Sequence, residues 1–247
     1  MTIRADQQLD GEGAATTPRA RLGLTIFLLA LVGIFLTLGS WQVQRLFWKQ
    51  DLIARVEARI HADPVPAPSG PVDSEQDEYR RITVTGLFDH GNSVLVQAVT
   101  ERGAGFWVVT PLRVSDGSTI LINRGFVPAD RSSPEARIAS ELAAGPVTVT
   151  GLLRLTEPGG AFLRSNDPAS DRWFSRDVAA IAQAKTLSHV EPYFIDADAT
   201  PNMGGLPVGG LTVVSFRNSH LVYARTWYAL AAMSAGAAYG VMRRRLV

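Results

Sequence analysis

Hydrophobic positions follow two unlike regimes along this chain. Near each end they run together without charge, over residues 22–44 and 226–242, and between those runs they mostly alternate with polar residues. As a helix rising about 1.5 Å per residue, the first run reaches about 34 Å, enough to cross a bilayer core of about 30 Å. The second run is diluted by Ala231, Ala232, Ala235, Gly236, Ala237, Ala238 and Gly240, and Arg225 lies near its start. Its tail, Arg243-Arg244-Arg245, is a positive cluster of the kind retained on the cytoplasmic side. Two spans then place both termini in the cytoplasm and the middle of the chain across the membrane. Arg19 and Arg21 agree with that orientation, whereas Arg45, Lys49, Arg55 and Arg59 oppose it mildly. The alternative for residues 22–38 is a cleaved signal peptide. That run exceeds the usual apolar region of about 7–15 residues, and no small-residue cleavage pattern follows it.

Beyond the first run, Leu46, Leu52, Ile53, Val56 and Ile60 keep helical spacing, so the membrane helix is expected to continue outward as an amphipathic stalk. Pro64, Pro66, Pro68 and Pro71 end it in an extended linker, because proline lacks an N–H and biases its predecessor out of the helical region. From Tyr79 the period becomes two. Strands are predicted at 81–85, 93–99, 106–114, 119–126, 146–155, 190–195 and 211–217, divided by Gly, Asp or Pro turns. Such a series predicts an antiparallel sheet closing into a barrel. One helix is expected within it, over 172–184, with Asp171 as its cap. Thr83-Val84-Thr85-Gly86-Leu87 is echoed by Thr148-Val149-Thr150-Gly151-Leu152, as though each begins a hairpin of a duplicated half.

The expected organisation is therefore an α+β membrane protein in which two transmembrane helices flank a β-rich, barrel-like extracytoplasmic domain with one short helix. Its parts are a cytoplasmic tail (1–21), transmembrane helix 1 (22–44), a helical stalk and Pro-rich linker (45–71), a periplasmic domain (72–217), transmembrane helix 2 (218–242) and a second cytoplasmic tail (243–247).

Composition removes several functions. With 24 basic and 23 acidic residues there is no electrostatic footprint for nucleic acid. The absence of cysteine removes disulfides, thiolate zinc sites, iron–sulfur ligation and CxxC chemistry. Four histidines remain as nitrogen ligands: His61, His90, His189 and His220. The first three sit in turns or linkers, where a solvated loop residue is the ordinary reading. Asp6, Asp10 and Glu12 are out of keeping with an acid-poor mitochondrial transit peptide, which makes a bacterial inner membrane the simplest location. No nucleophile, base and orienter recur at a recognisable spacing, and there is no phosphate loop or HExxH helix, so catalysis is not expected.

Several segments in order carry a resemblance. They are Gly39-Ser40-Trp41-Gln42-Val43-Gln44-Arg45 with Trp48-Lys49, Tyr79-Arg80-Arg81, residues 105–112 (GFWVVTPL), Asn123-Arg124-Gly125-Phe126-Val127-Pro128, Trp173-Phe174-Ser175-Arg176-Asp177, residues 192–197 (PYFIDA), Arg217-Asn218-Ser219-His220-Leu221-Val222-Tyr223, and Thr226-Trp227-Tyr228. Over about residues 22–242 the chain resembles the surfeit locus protein one family, assembly factors of cytochrome c oxidase. The resemblance implies a membrane factor that helps deliver or insert heme a into oxidase subunit I, with heme a synthase a further candidate partner. In bacterial members the histidine of the R-N-x-H-L-x-Y motif is thought to ligate heme a, a role that falls here on His220. Ser40 and Ser219 stand where the family often has Thr and Glu, and neither change removes a ligand.

His220 has physical arguments of its own. Asn218 or Ser219 can cap a helix there, which puts His220 in its first turn, where the positive end of the dipole disfavours imidazolium and favours the neutral, ligating ring. Tyr223 and Trp227 follow on the same face, suited to a flat macrocycle. Arg217, Arg225 and Arg45 fall at a similar depth, where they can meet haem propionates. Trp41, Arg45 and Trp48 share one side of the first helix, which can face His220 if the spans pair. Gly39 is small where a helix or a porphyrin passes closely. The plain alternative is an interfacial helix start with belt aromatics and snorkelling arginines. Gln42, Arg124 and Gly125 are read as structural or partner-facing, with Gly125 allowing a bulge at the end of a strand. Two other functions stay open: a scaffold that steadies an oxidase intermediate without touching haem, and a membrane-anchored periplasmic enzyme.

Overall fold

A computed structural model describes residues 17–141, 145–161, 163–214, 216 and 218–243. In chain order its elements are α1 (Pro18–His61), β1 (Val65–Pro66), β2 (Arg81–Phe88), β3 (Val94–Thr100), β4 (Gly103–Val114), β5 (Thr119–Pro128), α2 (Ile138–Glu141), β6 (Val147–Leu155), β7 (Gly160–Ala161), β8 (Arg164–Ser165), α3 (Val178–Ala184), β9 (Val190–Ala197) and α4 (His220–Arg243). The chain divides into two compact units, Met1–Leu52 with Phe216–Val247, and Ile53–Ser215.

The first unit is built from α1 and α4. Pro18 opens α1 at a position whose N–H would have no helical partner anyway, and the helix then runs unbroken for 44 residues. Among the described residues it is the one helix long and apolar enough to cross a membrane. The expected second span is a helix of 24 residues, but its alanines, glycines and Arg225 leave it below that level of apolarity. The less exposed positions of α1 include Leu28, Val32, Phe35, Gly39, Gln42 and Leu46, and those of α4 include His220, Ala224, Trp227, Ala231, Ser234, Ala238 and Val241. Both sets step by alternate fours and threes, the spacing of a coiled-coil seam. The seam is antiparallel, since Gln42 meets His220 whereas Phe35 stacks on Trp227. On its α4 side the small residues Ala224, Ala231 and Ala238 are fully buried.

The second unit is a barrel. Its seven-stranded sheet has the order β1-β2-β6-β9-β5-β4-β3, and a further pairing of β2 with β4 closes β2, β6, β9, β5 and β4 into a ring. The sheet is mixed, not antiparallel as expected: β5 and β9 run parallel, as do β1 and β2. Parallel strands are commonly buried on both faces, and here Ile120 and Ile122 of β5 with Tyr193 and Ile195 of β9 enter one core cluster while Leu121 and Phe194 enter another. The second cluster lies under α3, with Trp173, Val178 and Ile181.

Three further expectations are corrected. Residues 211–214 form no strand, although β1 and β3 remain as edges of the sheet. The helix expected from Arg172 begins at Val178 with Asp177 as cap, its side chain accepting from the Ala180 N–H. Residues before it are spent elsewhere: the Trp173 carbonyl accepts from the Gln97 N–H, and Asn166 Oδ1 accepts from the N–H groups of Phe174 and Ser175. The echoed pentapeptides begin no hairpins; they pair with each other, Thr83 opposite Thr150, Val84 opposite Val149 and Thr85 opposite Thr148. Their glycines do matching work. A Cβ on Gly86 would lie 2.4 Å from the Arg113 carbonyl oxygen, and one on Gly151 would lie 2.2 Å from that of Asp196, so each lets the neighbouring strand approach.

Candidate functional site

In the helical unit His220 opens α4 and is half-buried. Its Nδ1 lies 2.8 Å from the Oε1 of Gln42. An amide oxygen only accepts, so Nδ1 carries a proton, and in the neutral ring the lone pair is then on Nε2. Nε2 has no hydrogen-bond partner among the described residues. A ring held through one nitrogen by a neutral acceptor, with the other free, is the arrangement metal-ligating histidines ordinarily adopt. The sequence marks Gln42 only as part of a motif. Its role depends on the pairing register of two helices far apart in the chain.

Below His220 the seam is filled. Trp227 stacks on Phe35 with ring centroids 5.7 Å apart. Tyr228 lies on Gly39, where a Cβ would come within 2.8 Å of its Cε1, and its hydroxyl is 3.2 Å from Ser40 Oγ. Gly39 is thus small for a tyrosine, and Tyr228 is a site residue that sequence reasoning missed. Of the other candidates, Trp41, Trp48 and Tyr223 are about half exposed, so the residue of α1 that faces His220 is Gln42 and not the Trp41 side. Arg45 lies over the Trp48 ring at 3.9 Å from its centroid, and Arg225 is exposed. Arg217 lies outside the described residues.

The remaining candidates are in the barrel. Gly125 has φ +131° at an irregularity where the β4–β5 register shifts between Trp107 and Val109, as the bulge expectation requires, although the strand runs on to Pro128. Its missing Cβ leaves room for the Val208 carbonyl. Arg124 is 3% exposed. It shares the alternation of Ile120 and Ile122, which are in the cluster at the barrel's centre, and lines a cavity of about 440 Å³ at the end of that row. His90 is not the solvated turn residue expected: it is half-buried, and Arg124 Nη1 donates to its Nδ1 at 3.2 Å. Burial, then the neighbouring Arg124 charge, lowers the His90 pKa below its ordinary 6.5.

Comparison with known proteins bears out the family resemblance. A model of the SURF1 family matches residues 29–232. Surfeit locus protein 1 of Homo sapiens is 41% identical over 214 residues, covering 79% of this chain and 69% of that protein. The Mus musculus protein of the same name is 40% identical over 224 residues, covering 83% and 71%. A SURF1-like protein of Monosiga brevicollis is 38% identical over 226 residues, covering 86% and 85%.

Proposed function

The chain belongs to the SURF1 family, and from that premise we propose that it is an assembly factor for cytochrome c oxidase that binds heme a through His220 and assists its insertion into subunit I. The observation that carries the reading is the hydrogen bond from His220 to Gln42, which fixes the tautomer and leaves Nε2 free. A histidine nitrogen is a common axial ligand of haem iron. Heme a is cargo here, and the protein acts by capture and release, not by catalysis. The acid and base groups lining the barrel cavity favour that view, since Glu141 is bound to Arg137 at 2.9 Å and His90 to Arg124.

In this reading both helices cross a bacterial inner membrane, termini in the cytoplasm and barrel in the periplasm. Pairing with α1 supports α4 as a span, because its small-residue seam permits close helix contact where lipid offers no hydrophobic gain. Trp41, Trp48 and Tyr223, exposed near His220 in sequence or register, supply flat surface for a macrocycle, and Arg45 and Arg225 supply charge for its carboxylates. Heme a synthase and subunit I are the partners on either side of the transfer.

Purification of wild type and His220→Ala from cells that make heme a tests the proposal. Wild type should carry the pigment and His220→Ala should lose it, with Gln42→Leu retaining it about 10–100-fold more weakly. A haem-free scaffold predicts no pigment in any of them. Full, normally coloured retention by His220→Ala would overturn ligation by this residue.

A further inference from the structure

Among the described residues Arg124 is the one arginine or lysine lining the barrel cavity, and none of them offers it a carboxylate within ion-pair distance. A guanidinium has five N–H donors. Three are engaged, all by neutral acceptors: His90 Nδ1 at 3.2 Å, the Ser140 carbonyl at 3.1 Å and Asn202 Oδ1 at 3.3 Å. Nε is buried with no partner. The face of Phe88 lies 4.8 Å from the guanidinium carbon. Burial pulls the pKa of Arg124 down to about 10, so the group is still charged at neutral pH. A charge taken from water is costly unless paired, and this one has no carboxylate in contact, Glu141 favouring it only from beyond ion-pair distance.

The surroundings limit what counter-ion it can take. The two carboxylates on the cavity wall are occupied, Glu141 on Arg137 at 2.9 Å and Asp198 facing Arg81 at 3.9 Å. Both would still repel a dianion such as phosphate. The rest of the wall is mixed, with Leu87, Phe88, Ile122, Val147, Val149 and Met203 supplying apolar surface beside threonines 148, 150 and 200. A volume of about 440 Å³ falls within the range of about 300–1,000 Å³ typical of small-molecule sites, which favour the mouths of barrels. We propose that this cavity binds a small organic monocarboxylate, its head group on Arg124 and its apolar body against the inner ends of β2, β5 and β6.

The test uses the full chain in zwitterionic nanodiscs and three probes of one shape: 2-naphthoate, 2-naphthamide and 2-naphthylmethylamine. Calorimetric titration should show naphthoate binding at least tenfold more tightly than the amide, with no binding of the amine above empty discs. Arg124→Met should remove the preference for the acid. Where that variant fails to fold, wild type decides: naphthoate, and not the amide, should slow hydrogen exchange at residues 138–141 and 202–205, which border the cavity. Equal affinity for acid and amide, no naphthoate binding, or an undiminished acid preference in folded Arg124→Met would each overturn the proposal.

Discussion

Strand β5 sends a buried polar side chain to each of its faces, and the two are accommodated in opposite ways. On one face Asn123 donates to Asp196 Oδ1 at 2.7 Å, and that carboxylate also receives Arg154 at 3.0 Å and Arg176 at 2.9 Å. Arg176 is bound in turn to Glu157. Positive and negative charges there neutralise one another, so the cluster is closed in charge, although Arg154 Nε has no hydrogen-bond partner among the described residues and a pocket opens beside it. On the other face Arg124 is held in place by neutral acceptors and retains its charge. The difference separates a cluster that holds the barrel together from one whose charge is still available to a ligand.

Removing the hub of the closed cluster should have the largest effect. Asp196→Ala leaves two arginines buried without their carboxylate and should cost about 3–5 kcal/mol. It is read as faster hydrogen exchange of β5 and β9 amides in the full chain in detergent. A loss under about 1 kcal/mol would mean the cluster is not closed. Arg124→Met should change the same exchange by no more than about 1 kcal/mol, since the lost hydrogen bonds are offset by relief of an unpaired buried charge. A cost as large as that of Asp196→Ala would make Arg124 a structural clamp and erase the contrast.

The smallest effect concerns pH. Burial and Arg124 lower the His90 pKa, with Arg137 adding to this and Glu141 and Asp89 opposing it. Between 6.5 and the lowered value the unfolded chain takes up a proton that the folded chain refuses, so stability falls as pH drops through that window. His90→Gln should flatten the slope of melting temperature against pH just below 6.5. An unchanged slope would show that the ring is not held neutral by its surroundings.

The strands were legible because β-branched residues alternate along them, and the apolar runs Ile120-Leu121-Ile122 and Tyr193-Phe194-Ile195 already carry the mark of strands buried on both faces. What local pattern cannot supply is a partner. Residues 211–214 have strand composition, yet they join neither free edge of the sheet, and Val213 stands 81% exposed. The same limit governs the sites. His220 is legible from a motif and a helix start, but Gln42 becomes its partner only through a register set by the whole helical pair. The bulge at Gly125 could be read from Asn123-Arg124-Gly125, whereas the isolation of Arg124 depends on residues 90, 140 and 202 meeting around it.

Gly39 has a consequence for the imidazole one turn away. The hydrogen on its Cα is the spacer between two rods, and Tyr228 rests against it as against a stop. Any larger group there would lever Tyr228 outward, strip it from Ser40 and widen the gap that a single amide spans to reach His220. Under the ligation we propose for His220, a chain altered only at residue 39 would lose its grip on iron with every ligand atom intact, and in a spectrum would be mistaken for one without the histidine.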